Sequence, residues 1–410
     1  MTLGRKALRI ASKTLLIIIG LFLVLFTSIW LILKVPSVQN YLVTKATTYV
    51  SKKTHTRVVL KYIDLEFPKS ILLQGIFLED TNKDTLASIQ EIKVDLNMLA
   101  LLSNTISIET FELNNFNIRL IRNDRDSTFN YQFLIDAFTS PKSNEVIVDT
   151  SSTSPWTIKA NSISLIQGHF NMQDAVSGLN IDARIGNVSA ALNLLDLQNS
   201  IVKLGDIHIS DVHGNILSTK LASVDTSSSK GWNGIQVSEI IIDKSSFNYK
   251  DATSNMFLDL SIQDFKLNET FIDLFEQKII SKGIALSNST FKINIPPSDT
   301  TSVAKKDTLN KEWDIQLANL NLKENNFKLD MLQTPHISKG IDWNHLALTQ
   351  LNASVNHISY NGPKIEANIE SLSVQDKSGF GVRSLQGNAF MDAHTARLTD
   401  LSLTTNHSHI

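Results

Sequence analysis

Three times this chain passes through a polar, Ser/Thr-rich stretch and resumes on a tryptophan that opens the same kind of segment. Trp156 begins WTIKANSISLIQGHF, Trp232 begins WNGIQVSEIIIDKSSF and Trp313 begins WDIQLANLNLKENNF. A repeat of this size implies one supersecondary unit stacked on its neighbours along an axis. Between the polar stretches apolar residues alternate with polar ones, as in Ile63-Asp-Leu65-Glu-Phe67 and Leu258-Asp-Leu260-Ser-Ile262, the pattern of strands with one apolar face. Helical patterns beyond residue 58 are short, at Asn97 to Leu102 and Asn130 to Phe138, so no helical layer is expected over that face.

Within the repeats an apolar pair precedes a phenylalanine. Ile163 and Leu165 precede Phe170, Ile240 and Ile242 precede Phe247, Ile284 and Leu286 precede Phe291, and Leu320 and Leu322 precede Phe327. The odd offset from pair to ring would put the ring on the other face of an uninterrupted strand. Turn-forming residues intervene (Gln167 to His169, Lys244 to Ser246, Asn288 to Thr290, Glu324 to Asn326), so the motif reads as strand, tight turn, strand. The expected fold is all-β: an elongated repeating groove, made of a curled antiparallel sheet with a hydrophobic lumen. The candidate lining residues are the pairs and rings just named with Leu258, Leu260 and Ile262; ordinary core packing is the competing reading of each.

Leu15 to Leu33 carries no charge. At 1.5 Å per residue it spans about 29 Å, against a hydrocarbon core of about 30 Å, and it exceeds the roughly 7–15 apolar residues of a signal peptide. It reads as one transmembrane helix. The first 63 residues hold ten Lys/Arg and no acid, which leaves 38 − 10 = 28 basic against 40 acidic residues afterwards. A basic, partly apolar head on an acidic body argues against nucleic acid and for an anionic membrane surface. Basic residues flank the apolar run on both sides, so charge alone leaves its orientation open. Pro36 starts a short amphipathic helix with Val38, Leu42, Ala46, Tyr49 and Val50 on one face and Lys45, Lys52 and Lys53 largely elsewhere. That helix either grips anionic lipid through its lysines or covers the first strands.

The organisation that follows is a basic tail at 1–13, an anchor at 14–34, the amphipathic helix at 35–57 and a first β segment at 58–138. A linker at 139–155, a repeat at 156–223, a linker at 224–231, a repeat at 232–295, a linker at 296–312 and a repeat at 313–410 complete it. Cysteine is absent and no phosphate-binding, zinc-protease or serine-hydrolase string occurs, so neither an enzyme nor a catalytic residue, cofactor or metal site is expected. His208 with His213, and His407 with His409, read as solvated surface residues. Asp80, Asn82, Asp84 and Glu91 match calcium-loop positions, but Thr85 replaces the required glycine and strand patterns flank the site, so a polar hairpin turn is expected.

The order of basic tail, single apolar helix, Pro36-Ser-Val-Gln-Asn-Tyr-Leu42 and strand-rich body resembles the N-terminal part of the TamB family, within the wider AsmA-like group. Asp80-Thr-Asn-Lys-Asp-Thr-Leu86, Asn130-Tyr-Gln-Phe-Leu-Ile-Asp-Ala-Phe138, Gly340-Ile-Asp-Trp-Asn-His-Leu346 and Gln375-Asp-Lys-Ser-Gly-Phe380 resemble its Bacteroidetes versions most closely. The resemblance implies a single-pass inner-membrane protein with a cytoplasmic N-terminus and a periplasmic body that carries phospholipids towards the outer membrane. It implies as partner a BamA/TamA-type barrel, met through a C-terminal region that family members have beyond the length of this chain. A strand-pairing chaperone for outer-membrane barrels is the alternative, and a passive tethered scaffold the third reading.

Overall fold

The computed structural model describes residues 3–66, 69–125, 128–139, 157–196, 201–220, 234–296 and 312–410. Trp156, Trp232 and nearly all of the three linkers lie outside the described residues. The fold is all-β, with eighteen strands among the described residues, and the chain divides into two units, Met1–Phe116 with Tyr131–Ala160 and Asn117–Asn130 with Asn161–Ile410.

The first unit opens with α1 (Leu3–Leu33) and α2 (Pro36–Thr54). Residues Leu16–Leu33 of α1 are long and apolar enough to cross a membrane. Proline suits the first turn of α2 because its missing N–H has no helical acceptor to lose, and His55 closes the helix in the left-handed region. The strands are β1 (Val58–Val59), β2 (Tyr62–Glu66), β3 (Ser70–Glu79), β4 (Thr85–Leu96), β5 (Thr105–Arg122), which belongs to this unit as far as Phe116, and β6 (Thr157–Ala160). A 3-10 helix at Met98–Ser103 and α3 (Gln132–Phe138) occupy the two short helical patterns. Ile76, Leu86, Ala87, Ile89 and Phe116 are the buried apolar residues here.

Helix α2 packs on β1, β2 and α3, with Val38, Gln39, Leu42, Val43, Ala46, Thr47, Val50 and Thr54 turned inward. Tyr49, expected on that apolar stripe, is exposed instead, although it falls on the wheel within about 20° of Val38 and Leu42 at one margin of the packed face. At the α1–α2 joint, Lys34 Nζ donates to both oxygens of Asp64 at 2.9 and 2.7 Å, and this bond raises the ammonium pKa. The Asp80–Asp84 string is the β3–β4 turn, where Asp80 Oδ1 accepts from the N–H of Asn82 and of Asp84 at 2.8 and 3.0 Å.

The second unit holds β7 (Ser162–Asp174), β8 (Leu179–Asp196), β9 (Ile201–Ser218), β10 (Gly234–Asp251), β11 (Met256–Asp273), β12 (Lys278–Ser287) and β13 (Thr290–Ile295). It continues with β14 (Asp314–Met331), β15 (Ala347–Asn361), β16 (Lys364–Asp376), β17 (Gly381–Met391) and β18 (Ala396–Thr405). Its described residues contain no helix. Pairing is antiparallel from β7 to β9, from β10 to β13 and from β14 to β18. Between these groups it is parallel, β9 with β10 and both β12 and β13 with β14; in the first unit β5 likewise runs parallel to β6. The sheet is therefore mixed rather than antiparallel throughout. A repeat with an odd number of strand passes starts every copy in the same direction, so adjoining copies meet in parallel, and each parallel step coincides with one linker.

The turn reading of the pair-and-ring motif is corrected. Gln167, Lys244 and Glu324 lie inside the continuous strands β7, β10 and β14 with φ of 50, 45 and 52°, and Asn288, with φ 52°, separates β12 from β13. A residue in the left-handed region reverses the side-chain phase of the strand, a bulge-like break that β7 and β10 share with their neighbours, since their register runs on unbroken across it, while β14 shifts register against β15. Phe170, Phe247, Phe291 and Phe327 return to the face of the preceding pair without a reversal of the chain.

Candidate functional site

Residues directly opposite one another on adjacent strands point to the same side of a sheet, so the register gives the make-up of each face. One line across the strands runs Leu165, Val188, Ile209, Ile242, Phe265, Leu286, Leu322, Ala353, Leu372, Leu385, Leu403, from β7 to β18. It meets no polar side chain. A second passes from Ile163 through Ile240, Ile284 and Leu320 to Val355 and Ile369. A third contains Phe170, Ala183, Gly214, Phe247, Leu260, Phe291, Phe327 and Leu348, and a fourth contains Tyr249, Leu258, Ile293 and Leu329. Every candidate lining residue but Ile262 is in one of these rows; Ile262 pairs with Ser245 on the same face.

Ile262 and Leu286 are buried, each 8% exposed, while the other candidates are half-buried. That is the state of side chains supported laterally by row neighbours, and the described residues of this unit contain no helix that could cover them. Gly214 makes room for one: a Cβ there would stand 3.3 Å from the Phe247 ring. At roughly 4.8 Å per strand, the eight-strand row of phenylalanines spans on the order of 34 Å, more than the ~15 Å depth of one bilayer leaflet.

The bulges bring polar residues onto this face without leaving their polar atoms free. Ser245 Oγ accepts from Val212 N at 3.1 Å and donates to Asp243 O at 2.7 Å. Ser289 Oγ accepts from Gln263 N at 3.0 Å and donates to Ser287 O at 2.8 Å. Asn325 Oδ1 accepts from Ser289 N at 3.0 Å, and its Nδ2 donates to Leu286 O at 2.9 Å. These side chains satisfy backbone groups that the bulges release from the ladder. The opposite face carries the cross-strand charges, with Lys292 Nζ 2.9 Å from Asp259 and His208 Nε2 2.6 Å from Asp243. The Ser210 hydroxyl and the His208 ring lower the Asp243 pKa. His208 and His213 are half-exposed, and each bonds to an aspartate.

Sequence reasoning missed one cluster. His336, Asp342 and His345 bring possible metal-ligating atoms within 4.8 Å of one another in the β14–β15 connection. His345 Nδ1 lies 2.6 Å from Asp330, however, and its Nε2 lies 3.0 Å from the Thr334 carbonyl and 2.9 Å from the Thr334 hydroxyl, so both nitrogens are engaged in clamping the connection. The lateral neighbours Val188, Ile209, Phe265, Leu372, Leu385 and Leu403 were also missed, although each follows the alternation of its own strand.

Comparison with known proteins gives one result of wide coverage: the model of the AsmA family matches residues 8–378. Searches of curated proteins and of solved structures return no match.

Proposed function

The chain belongs to the AsmA family, whose members are membrane-associated and linked to lipid and outer-membrane biogenesis, and from that premise we propose that it is an inner-membrane-anchored, periplasmic phospholipid carrier. The observation that supports this most is the set of apolar rows crossing the second unit with no helix over them among the described residues. An acyl chain moving along a row passes from one apolar side chain to the next about every 4.8 Å, while its head group stays in water. Each methylene removed from water contributes about 0.8 kcal/mol, and the rows supply that environment without recognising any head group. Flow follows lipid supply, since the sequence carries no nucleotide-binding string.

The test is photo-crosslinking of the full chain, reconstituted in vesicles, with a phosphatidylethanolamine carrying an acyl diazirine. Label is expected on row peptides of β10, β11 and β14, and Leu260→Asp or Leu322→Asp should lower it at least tenfold while the thermal melt is kept. Label confined to α1 in the unsubstituted protein would overturn the proposal.

A second reading, strand pairing with nascent outer-membrane barrels beside a BamA/TamA-type partner, draws on β18. Along Ala396–Ser402 this strand is bonded to β17 and to no other described strand, and the edge of a sheet is where a further strand can be added. Crosslinks from Arg397 or Thr399 to unfolded barrel strands, with the rows unlabelled, would favour it.

A further inference from the structure

Helix α2 has a second face that the packing on β1 and β2 does not use. Beyond Pro36, its exposed positions are Ser37, Asn40, Tyr41, Thr44, Lys45, Thr48, Tyr49, Lys52 and Lys53. Tyr41 and Tyr49 are 60% and 58% exposed, two turns apart, with Lys45 between them and its ammonium 5.4 Å from the Tyr41 ring centre. The patch extends onto α3, where Phe138 lies 6.3 Å from Tyr49 and is 53% exposed, and Ile135 is 45% exposed. One acid, Asp136, borders it and is held by Gln132 Nε2 at 3.0 Å. No Asp or Glu occurs before Asp64.

We propose that the outer face of α2, with Ile135 and Phe138 of α3, lies on the anionic surface of the same bilayer that α1 enters. Three observations select that occupant. The surface is cationic and aromatic, the combination that places tyrosine rings at head-group level and lysine ammoniums among phosphates. Only Lys34 and Val35 separate α2 from the apolar helix, so the patch cannot leave the neighbourhood of the membrane. Lys34 is pinned to Asp64 of β2, which fixes the joint against the sheet and not merely to a flexible tether. The packed face then holds β1 and β2 while the outer face holds lipid, so both readings of the amphipathic helix apply, one to each side. Membrane contact here does not depend on the carrier function, and its test reads contact alone.

The chain lacks cysteine, so a single substitution gives a unique probe site. Thr48→Cys, on the outer face, and Lys328→Cys, on the polar side of β14, are each labelled with an environment-sensitive fluorophore in the full chain. The labelled proteins are placed in nanodiscs of phosphatidylethanolamine with phosphatidylglycerol, or of phosphatidylcholine alone. The expected result is a blue-shifted emission at position 48 in anionic discs, weakened in neutral discs and in high salt, with position 328 reading water throughout. Charge reversal of Lys45, Lys52 and Lys53 to Glu should lower occupancy of the contacted state by about a hundredfold, at roughly fivefold per lost lysine and more for reversal. A label at 48 that reads water in anionic discs overturns the proposal, and equal shifts in neutral and anionic discs overturn the assignment to anionic lipid. Both of these results are read on protein with its lysines intact, so misfolding of the triple variant would not obscure them.

Discussion

Asp174 ends β7 with its side chain 6% exposed and takes Arg122 as its partner, Nε donating at 2.7 Å to Oδ1 and Nη2 bonding Oδ2. The Ser177 hydroxyl and the Val176 N–H also donate to it, at 2.6 and 3.0 Å. The Arg122 guanidinium, the strongest influence, holds the carboxyl far below the ordinary carboxylate range. A carboxylate with a depressed folded pKa contributes stability that is present above its unfolded value of about 3.9 and is lost as the pH falls through the folded value. Asp174→Asn should therefore cost about 3 kcal/mol at pH 7, because it strands a largely buried guanidinium. The gap to wild type should close as denaturation is repeated below about pH 4. A gap constant with pH would assign the loss to packing instead of charge.

Among the elements, the bulges decide whether a strand of eighteen residues can keep one apolar face, since they reset its phase in mid-course. They also stand side by side: Lys244 of β10 is in register with Asp211 of β9, φ 55°, and Glu324 of β14 is in register with Asn288. The aligned bulges depend on the hydroxyls and amide beside them. Ser289→Ala removes the acceptor for Gln263 N in a fully buried site and should cost about 1–3 kcal/mol, read as a fall in melting temperature. Asn288→Gly, which suits the left-handed backbone but is more flexible when unfolded, should stay within about 1 kcal/mol of wild type. These elements show how far the sequence is legible. The alternation and the break before each phenylalanine are plain in it. Whether the chain reverses at the break is not, because Asn, Ser and Gly serve turns and bulges alike. Parallel pairing between repeats was hidden for a related reason: a strand's alternation is the same whichever way its neighbour runs. The His345 clamp escaped notice because its partners, Asp330 and Thr334, have no spacing that marks a clamp.

For the molecule as a whole, the proposed carrier function admits separate lipid sites or a continuous path, and the choice between them turns on the rows, which no single strand reveals. Leu165, Leu286 and Leu385 occupy the first, sixth and tenth positions of one row, on β7, β12 and β17. Separate sites work in parallel, so one charge removes one site and leaves most of the flux. A continuous path works in series, so one charge anywhere raises a barrier for every lipid that crosses it. Desolvating an aspartate against an acyl chain costs several kcal/mol, enough for a drop of at least a hundredfold in rate. Leu165→Asp, Leu286→Asp and Leu385→Asp should then each abolish lipid transfer between donor and acceptor vesicles to a similar degree, although they lie on different strands. Ser189→Asp, on the opposite face beside Ser164 and His208, should leave transfer unchanged. Partial and unequal losses from the three row variants would instead show that lipids occupy independent patches, and the rows would then act as a reservoir rather than a path.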